Sequence, residues 1–437
     1  MKKLFISQPM RGKTDEEIKA ERAKAVEAAS ELVGEPVEVI DSGLQNPNAG
    51  PDFFNAKLKI DGTLWVGNIE IHIHSSDWLR HGHDKDKAYD SVILHVVGEA
   101  DMEVTRTDGG RIPQLILTCP ENVQSHYHEL CVADQYPACY PILASLPKLT
   151  VHSWLTALQT ERLEQKARLI TERLKHCNHN WEDAFFVTLA RNFGFGLNGD
   201  AFETWAGMLP FRAIDKHRND LFQIEAFFYG LAGLLEDSFL KKGQEDEYSL
   251  RLIKEFRYLQ RKFEFTQVMN ATLWRFLRLR PENFPTVRLA QLAYLYQRGG
   301  KLFSRLLEAG TLAEVRTLLE VGTSSYWESH YLFGRTSSQK KKTMGERSKD
   351  LIIINTVVPF LYTYGLHKAD EGMCERAGRF LEELKAEDNH IIRSWSAAGL
   401  PVVSAADSQA LIQLQKEYCD RRKCLYCRFG YEYLRHK

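Results

Sequence analysis

From Phe53 to His74 apolar and polar side chains alternate on either side of a turn, and few folds other than a β-hairpin accept that pattern. FFNAKLKI reads as one strand, Asp61-Gly62 is a hairpin turn signal, and LWVGNIEIHI reads as the next strand. On the second strand Trp65, Gly67, Ile69, Ile71 and Ile73 share one face, and Val66, Asn68, Glu70, His72 and His74 share the other. Glu70 and His72 therefore project from the same side, with about 7 Å between them by strand geometry. The surrounding stretch Gly50–Val97 gathers Asp52, Glu70, His72, His74, Asp77, His81, His83, Asp84, Asp86, Asp90 and His95. Carboxylates and imidazoles this dense on a sheet bind a metal, do acid–base work or face water.

Around this hairpin the chain changes character twice. Ahead of it, residues 2–6 read as a strand. Thr14 to about Leu32 reads as a helix, with Thr14 as N-cap and Glu17 at the capping-box spacing. Pro36–Ile40 reads as a second strand, and Ser91–Val97 as a buried one. Met102–Thr107 and Arg111–Thr118 read as a further hairpin across Asp108-Gly109-Gly110. Beyond about residue 150 helical periodicity takes over. Val151–Leu174, Trp181–Phe193, Asp215–Leu235, Tyr248–Phe263, Val287–Leu306, Leu312–Leu319, Ile352–Gly365, Glu371–Leu384, Ile391–Ala398 and Ser408–Tyr418 all fit helices. Arg335–Lys349 is polar, basic and unpatterned, and predicts a mobile loop. The expectation is an α+β protein with three segments: a βαβ lead over 1–42, a β-rich mixed-sheet module over 43–145, and a large mostly helical region over 146–437.

Composition narrows the function classes. A chain of 437 residues with 44% hydrophobic residues has ample material for two or three cored domains. Its formal net charge of −1 gives no global attraction to nucleic acid, although a local basic patch is enough for binding. No apolar run approaches the ~20 residues of a membrane span, and the N-terminal run is too short for a signal peptide. The expectation is a cytoplasmic chain with no membrane partner. Its eight cysteines then read as reduced thiols or metal ligands rather than disulfides.

Asp52 at the start of one hairpin strand, with Glu70-x-His72 on the next, resembles the PD-(D/E)xK nuclease core. The chemistry behind that pattern is two carboxylates holding magnesium or manganese against a phosphate, with an amine stabilising charge or placing the attacking water. Here His72 stands where the amine is usual, and Lys57 or Lys59 on the neighbouring strand are candidates to supply it. The competing reading is the wet face of an antiparallel sheet. His81-Gly82-His83-Asp84-x-Asp86 forms a second candidate ligand set, for zinc or manganese, against the alternative of a solvated loop.

Near the end, Cys419, Cys424 and Cys427 follow a Cys-x4-Cys-x2-Cys spacing that suits zinc or an iron–sulfur cluster, with Cys374 or His436 as candidate fourth ligand. Cys119, Cys131, Cys139 and Cys177 lack such spacing and read as core or incidental. Basic and aromatic residues interleave around Phe256–Phe263 and Trp274–Arg280, which fits an amphipathic helix over a core better than a base-stacking platform.

The stretches NPNAGPDFFNAKLKI, WVGNIEIHIHSSDW, HGHDKDKAYDSVILHVV, LRPENFPTVRLAQLA and ADSQALIQLQKEYCDRRKCLYC are similar to the bacterial family catalogued as domain of unknown function 2851, from about Gly34 onward. That resemblance implies a family and no activity. The opening KLFISQPMRGKTDEEIKAERAKAVEAA and EPVEVIDS resemble the start of nucleoside 2-deoxyribosyltransferase-like domains, where the loop here formed by Ser7–Lys13 would face a nucleoside. Three functions stand open on the sequence. The first is a metal-dependent phosphodiesterase acting on nucleic acid through Asp52, Glu70 and His72. The second is a non-catalytic nucleic-acid-binding or scaffold protein on a degraded nuclease-like sheet. The third is nucleoside or nucleotide binding at the N-terminal segment.

Overall fold

The computed structural model describes residues 37–46, 48–60, 62–134, 137–240, 245–298 and 300–435. The strand at 2–6, the helix at 14–32, the Ser7–Lys13 loop and His436 lie outside the described residues. The protein is α+β, with a mixed six-stranded sheet followed by a mostly helical region. It divides into two compact units. Among the described residues the first runs up to Ala157 and also takes in Ala397–Leu400 and the tail from Leu414. The second comprises Leu158–Ser396 and Pro401–Gln413. The cysteine-bearing tail therefore belongs with the sheet unit, and the helical region expected over 146–437 does not include it.

In the first unit the strands are β1 (Val37–Asp41), β2 (Leu44–Gln45), β3 (Phe53–Ile60), β4 (Thr63–His74), β5 (Val92–Glu99) and β6 (Gln114–Ile116). Their order is β1-β3-β4-β5-β6, with β2 also on β3. The β3–β4 hairpin is antiparallel, as its alternation predicts. β4 and β5 run parallel, with Glu70 beside His95 and His72 beside Val97. The expected hairpin over 102–118 is reduced to one antiparallel bridge, Thr105 to Arg111. The second arm instead pairs parallel to β5 as β6. Burial favours that choice: Leu115 joins Val37, Phe53, Ala56, Leu58, Ile69 and Leu94 in the sheet core.

Two local features set the sheet's register. Asn55 sits in the left-handed region at φ 57°, a conformation Asn tolerates, and makes a β-bulge between Phe53 and Ala56. Its N–H donates to Asn68 Oδ1 at 3.1 Å. Gly67 opposes Ala56, and a Cβ there would fall 2.4 Å from Ile93 Cγ2 and 2.6 Å from the Ser91 carbonyl oxygen. Gly67→Ala is expected to cost about 1–3 kcal/mol by overpacking. An unchanged urea midpoint would show that β4 and β5 separate without penalty.

The second unit is built from capped amphipathic and buried helices. Trp181–Phe193 is capped by Asn180, Leu221–Leu231 by Asp220, and Glu247–Phe263 by an Asp246–Ser249 capping box. Phe185, Trp205, Phe227, Phe228, Trp327 and Phe360 fill its core. Phe256 and Trp274 are buried there too, so the basic-aromatic segments pack as helix and core. The stretch expected as a loop over Arg335–Lys349 is irregular from 337 to 345, with a short strand before it and a helix opening at Glu346. His330–Leu332 pairs with Arg335–Thr336, and Lys342 is buried with Nζ 3.6 Å from the centre of the Tyr331 ring. The ring gives that cation a site which composition alone does not reveal. Among the described residues no helix is long and apolar enough to cross a membrane.

Candidate metal centre

The bulge at Asn55 has a consequence for the polar face. An unbulged register would place Phe53 opposite Glu70; the extra residue puts Phe53 opposite Ile69 instead, which leaves Asp52 facing Glu70. The two then interlock. The Asp52 N–H donates to Glu70 Oε2 at 3.1 Å, and Asp52 Oδ2 accepts the Ile71 N–H at 3.1 Å. Glu70 is buried, and this lock fixes its carboxylate with Oε1 turned toward imidazoles.

Those imidazoles come from two places. His72 lies two residues along β4, on the same face as Glu70. His81 and His83 come from the crossover between β4 and β5, which folds back as a short helix, Asp77–Arg80, and two 3-10 turns, His83–Lys85 and Lys87–Tyr89. Asp77 holds the helix by accepting the His74 N–H at 3.4 Å and pairing with Arg80 at 2.8 Å. Gly82, at φ 74°, makes the turn between the two histidines. Trp78, fully buried, donates its indole N–H to the Thr105 carbonyl at 3.1 Å and backs the cluster, while Tyr89 stacks on His83 at 3.7 Å.

The result is a compact donor set. His72 Nε2 lies 3.1 Å from His81 Nδ1 and 3.4 Å from Glu70 Oε1, and His83 Nε2 lies 3.5 Å from Glu70 Oε1. One nitrogen from each of His72, His81 and His83 falls within 4.8 Å of the others. A tetrahedral ion with bonds of about 2.0–2.2 Å sets its ligand atoms about 3.3–3.6 Å apart, so the three imidazoles can close on one metal ion with small adjustments, and Glu70 Oε1 lies beside two of them. His72 Nδ1 is 2.8 Å from Nε2 of the buried His95, the outward contact that fixes a ligand imidazole's orientation.

Electrostatics favour the same use. Burial, then the charges of His95, His83 and His81, push His72 down to about 3. Burial and His83 push His95 down to about 4. These rings are therefore neutral near pH 7, as a metal ligand must be. Burial first, and the Asp52 charge as well, raise the Glu70 carboxyl above its ordinary value. A cation beside Glu70 would reverse that penalty. Three imidazole nitrogens beside a carboxylate suit zinc, manganese or iron better than magnesium, which prefers all-oxygen shells.

The expected site residues thus separate. Asp52, Glu70, His72, His81 and His83 come together, and the two ligand sets read separately from the sequence form one cluster. Lys57 and Lys59 do not join it. They sit opposite Val66 and Leu64, and Val66 is four residues, about 13 Å, along β4 from Glu70. Lys59 instead faces Glu38 at 4.0 Å. His74 is exposed and pairs with Glu99 at 3.3 Å, and Asp86 accepts the Ala88 N–H. Cys374 lies in the second unit, where its thiol approaches the Tyr362 carbonyl at 3.6 Å. Cys419, Cys424 and Cys427 belong to the first unit, as do Cys131 and Cys139. His95 received no separate role from the sequence; its signal is a lone imidazole inside the apolar run SVILHVV.

A family model described as "Protein of unknown function (DUF2851)" matches residues 22–390, which include this centre. No curated protein and no solved structure matches the chain.

Proposed function

The chain belongs to the family described as protein of unknown function (DUF2851), and we propose that its histidine–carboxylate cluster makes it a metal-dependent phosphodiesterase acting on nucleic acid. The observation that carries this reading is the gathering of one ring nitrogen from each of His72, His81 and His83 within 4.8 Å of one another, with Glu70 Oε1 3.4 Å from His72 and 3.5 Å from His83. His81 is the exposed member, so a metal held by the three imidazoles would be open to solvent on that side. Water bound there would ionise far more readily than bulk water. Glu70, whose Oε1 lies 3.4 Å from His72 and 3.5 Å from His83, is the neighbouring base for that proton. The water oxygen would form the new bond to phosphorus as the ester P–O bond breaks, and the leaving oxygen would take up the proton. A phosphodiester substrate is supported by the arrangement of Asp52 and Glu70 on adjacent hairpin strands, the feature that resembles nuclease cores.

The test is hydrolysis of bis(4-nitrophenyl) phosphate and of single- and double-stranded DNA and RNA by the full chain. Chelation is expected to abolish turnover, and manganese or zinc to restore it. If the metal-loaded chain turns over none of these substrates, the catalytic reading is overturned in favour of the non-catalytic binding protein.

A further inference from the structure

The second unit carries a basic face that the histidine centre does not explain. Residues 273–283 hold three arginines against one glutamate, and residues 335–343 hold four cations and no acid, in a chain whose formal net charge is −1. Like charges this dense repel one another unless an anion screens them.

The two stretches are folded together. Phe276 meets the Phe284 ring edge-on at 5.3 Å. The buried Asn198 accepts the Arg275 N–H at 2.8 Å and donates to the Arg275 carbonyl at 2.9 Å. A 3-10 turn, Pro281–Asn283, follows, with the Asn283 N–H on the Arg280 carbonyl at 2.8 Å. Lys340 reaches this turn and pairs with Glu282. Arg288, on the helix Pro285–Arg298, donates to Asn283 Oδ1 at 2.6 Å and to Gln291 Oε1 at 2.8 Å. Gln291 Nε2 in turn donates to the Lys342 carbonyl at 2.9 Å. One hydrogen-bonded frame thus joins the turn after Arg280 to the Lys340–Lys342 run.

The fold uses the rings of this face and leaves the cations free. Trp274 is buried, and Phe276 and Phe284 are half-buried against each other, so no aromatic platform is offered to a base. Arg275, Arg278, Arg280 and Lys341 are exposed, and among the described residues none of them has a carboxylate partner. Two more cations of the frame are buried. Arg288 is 6% exposed, lies over the Phe195 ring at 4.5 Å, and leaves its Nε without a hydrogen bond. Burial pushes its guanidinium down to about 10, so it stays charged near pH 7. Lys342 Nζ meets the Tyr331 ring at 3.6 Å and the Glu328 carbonyl at 3.5 Å. Among the described residues neither buried cation has a carboxylate partner. Cations held out of water without a counter-ion are costly, and their field reaches the surface weakly screened. A polyanion bound outside offsets that cost.

The chemistry of the face selects among polyanions. Thr336, Ser337, Ser338, Gln339 and Thr343 add donors suited to phosphate oxygens, and 335–343 contains no apolar residue. Against these stand two exposed apolar side chains, Leu273 and Leu277. They are little to insert into a lipid surface, which takes apolar burial as well as charge.

We propose that this face binds the phosphate backbone of nucleic acid, without regard to base sequence, through Arg275, Arg278, Arg280 and Lys341. The choice of nucleic acid among phosphate polyanions rests in part on the phosphodiesterase reading, and the two fail separately because binding is measured without metal.

The experiment is fluorescence anisotropy of labelled single-stranded DNA, duplex DNA and RNA with the full chain in excess chelator. The logarithm of the affinity is expected to fall linearly with that of salt, by about 0.9 per phosphate contact on a duplex and about 0.7 on a single strand. Arg280→Ala combined with Lys341→Ala removes two exposed contacts. At about 0.1 M salt it is expected to weaken binding roughly 25- to 60-fold and to flatten the salt slope by nearly two units on duplex DNA. Turnover of bis(4-nitrophenyl) phosphate by the metal-loaded double variant is expected to match that of the unmutated chain. A chain that binds oligonucleotides in this way but hydrolyses nothing loses the phosphodiesterase reading and keeps this one. Absence of binding at about 50 mM salt overturns the proposal, as does an affinity and salt slope unmoved by the double variant. Vesicles of phosphatidylglycerol and phosphatidylcholine are the competing partner. Their binding without that of oligonucleotides, weakened by Leu277→Ala, gives the face to a membrane and likewise overturns the proposal.

Discussion

Glu70→Gln is expected to lower hydrolysis by at least about a thousandfold, roughly 4 kcal/mol at 1.4 kcal/mol per factor of ten. The variant is nearly isosteric. Its amide oxygen can still accept the Asp52 N–H that Glu70 Oε2 accepts at 3.1 Å, so the strand lock survives. What changes is the corner facing His72 and His83 at 3.4 and 3.5 Å. A charged oxygen that can bind a cation and take a proton becomes a neutral amide that does neither. Metal affinity and the base are lost together, so kcat falls while the circular dichroism spectrum and the urea midpoint stay near those of the unmutated chain. Turnover within tenfold of the unmutated chain, with metal still bound, would remove Glu70 from the site. Unfolding would instead mean that the carboxylate serves the sheet. Asp52→Ala separates the two roles: it removes the acceptor of the Ile71 N–H and is expected to weaken metal binding through the strand lock.

The alternation in β4 was legible because a strand's period of two does not depend on its neighbours, and it put Glu70 and His72 on one face. The helices from Trp181 to Phe193 and from Glu371 onward were legible for a similar reason, since periodicity and caps are local. The pairing of Asp52 with Glu70 was not legible. It depends on a single bulge at Asn55, and a one-residue slip would bring the other face of β3 to the site. The fold-back of the β4–β5 crossover was also hidden. His81 and His83 read as a polar loop until Trp78 is buried beneath it, which pulls both rings over β4. Lys57 and Lys59 misled because alternation fixes a face but not a position along it.

The histidine centre also fixes how the metal-free first unit responds to acid. His72 and His95 sit at about 3 and about 4 in the fold, against about 6.5 for the same group in an unfolded chain. As pH falls below 6.5 the unfolded chain takes up two protons that the folded chain refuses. Stability therefore rises with pH through this window and is complete above it. With both protons counted, the slope approaches about 2.7 kcal/mol per pH unit. The Glu70 carboxyl, raised in the fold, acts in the opposite sense and blunts the loss only at the acid end. Chelator-treated protein is thus expected to show a falling urea midpoint from pH 6.5 to 5, with little change from pH 7 to 8. His95→Asn removes one of the two groups and is expected to halve the slope. A midpoint flat from pH 8 to 5 would mean that these imidazoles accept protons inside the fold. Rings so readily charged would compete poorly for a cation, and the metal centre would lose its electrostatic basis.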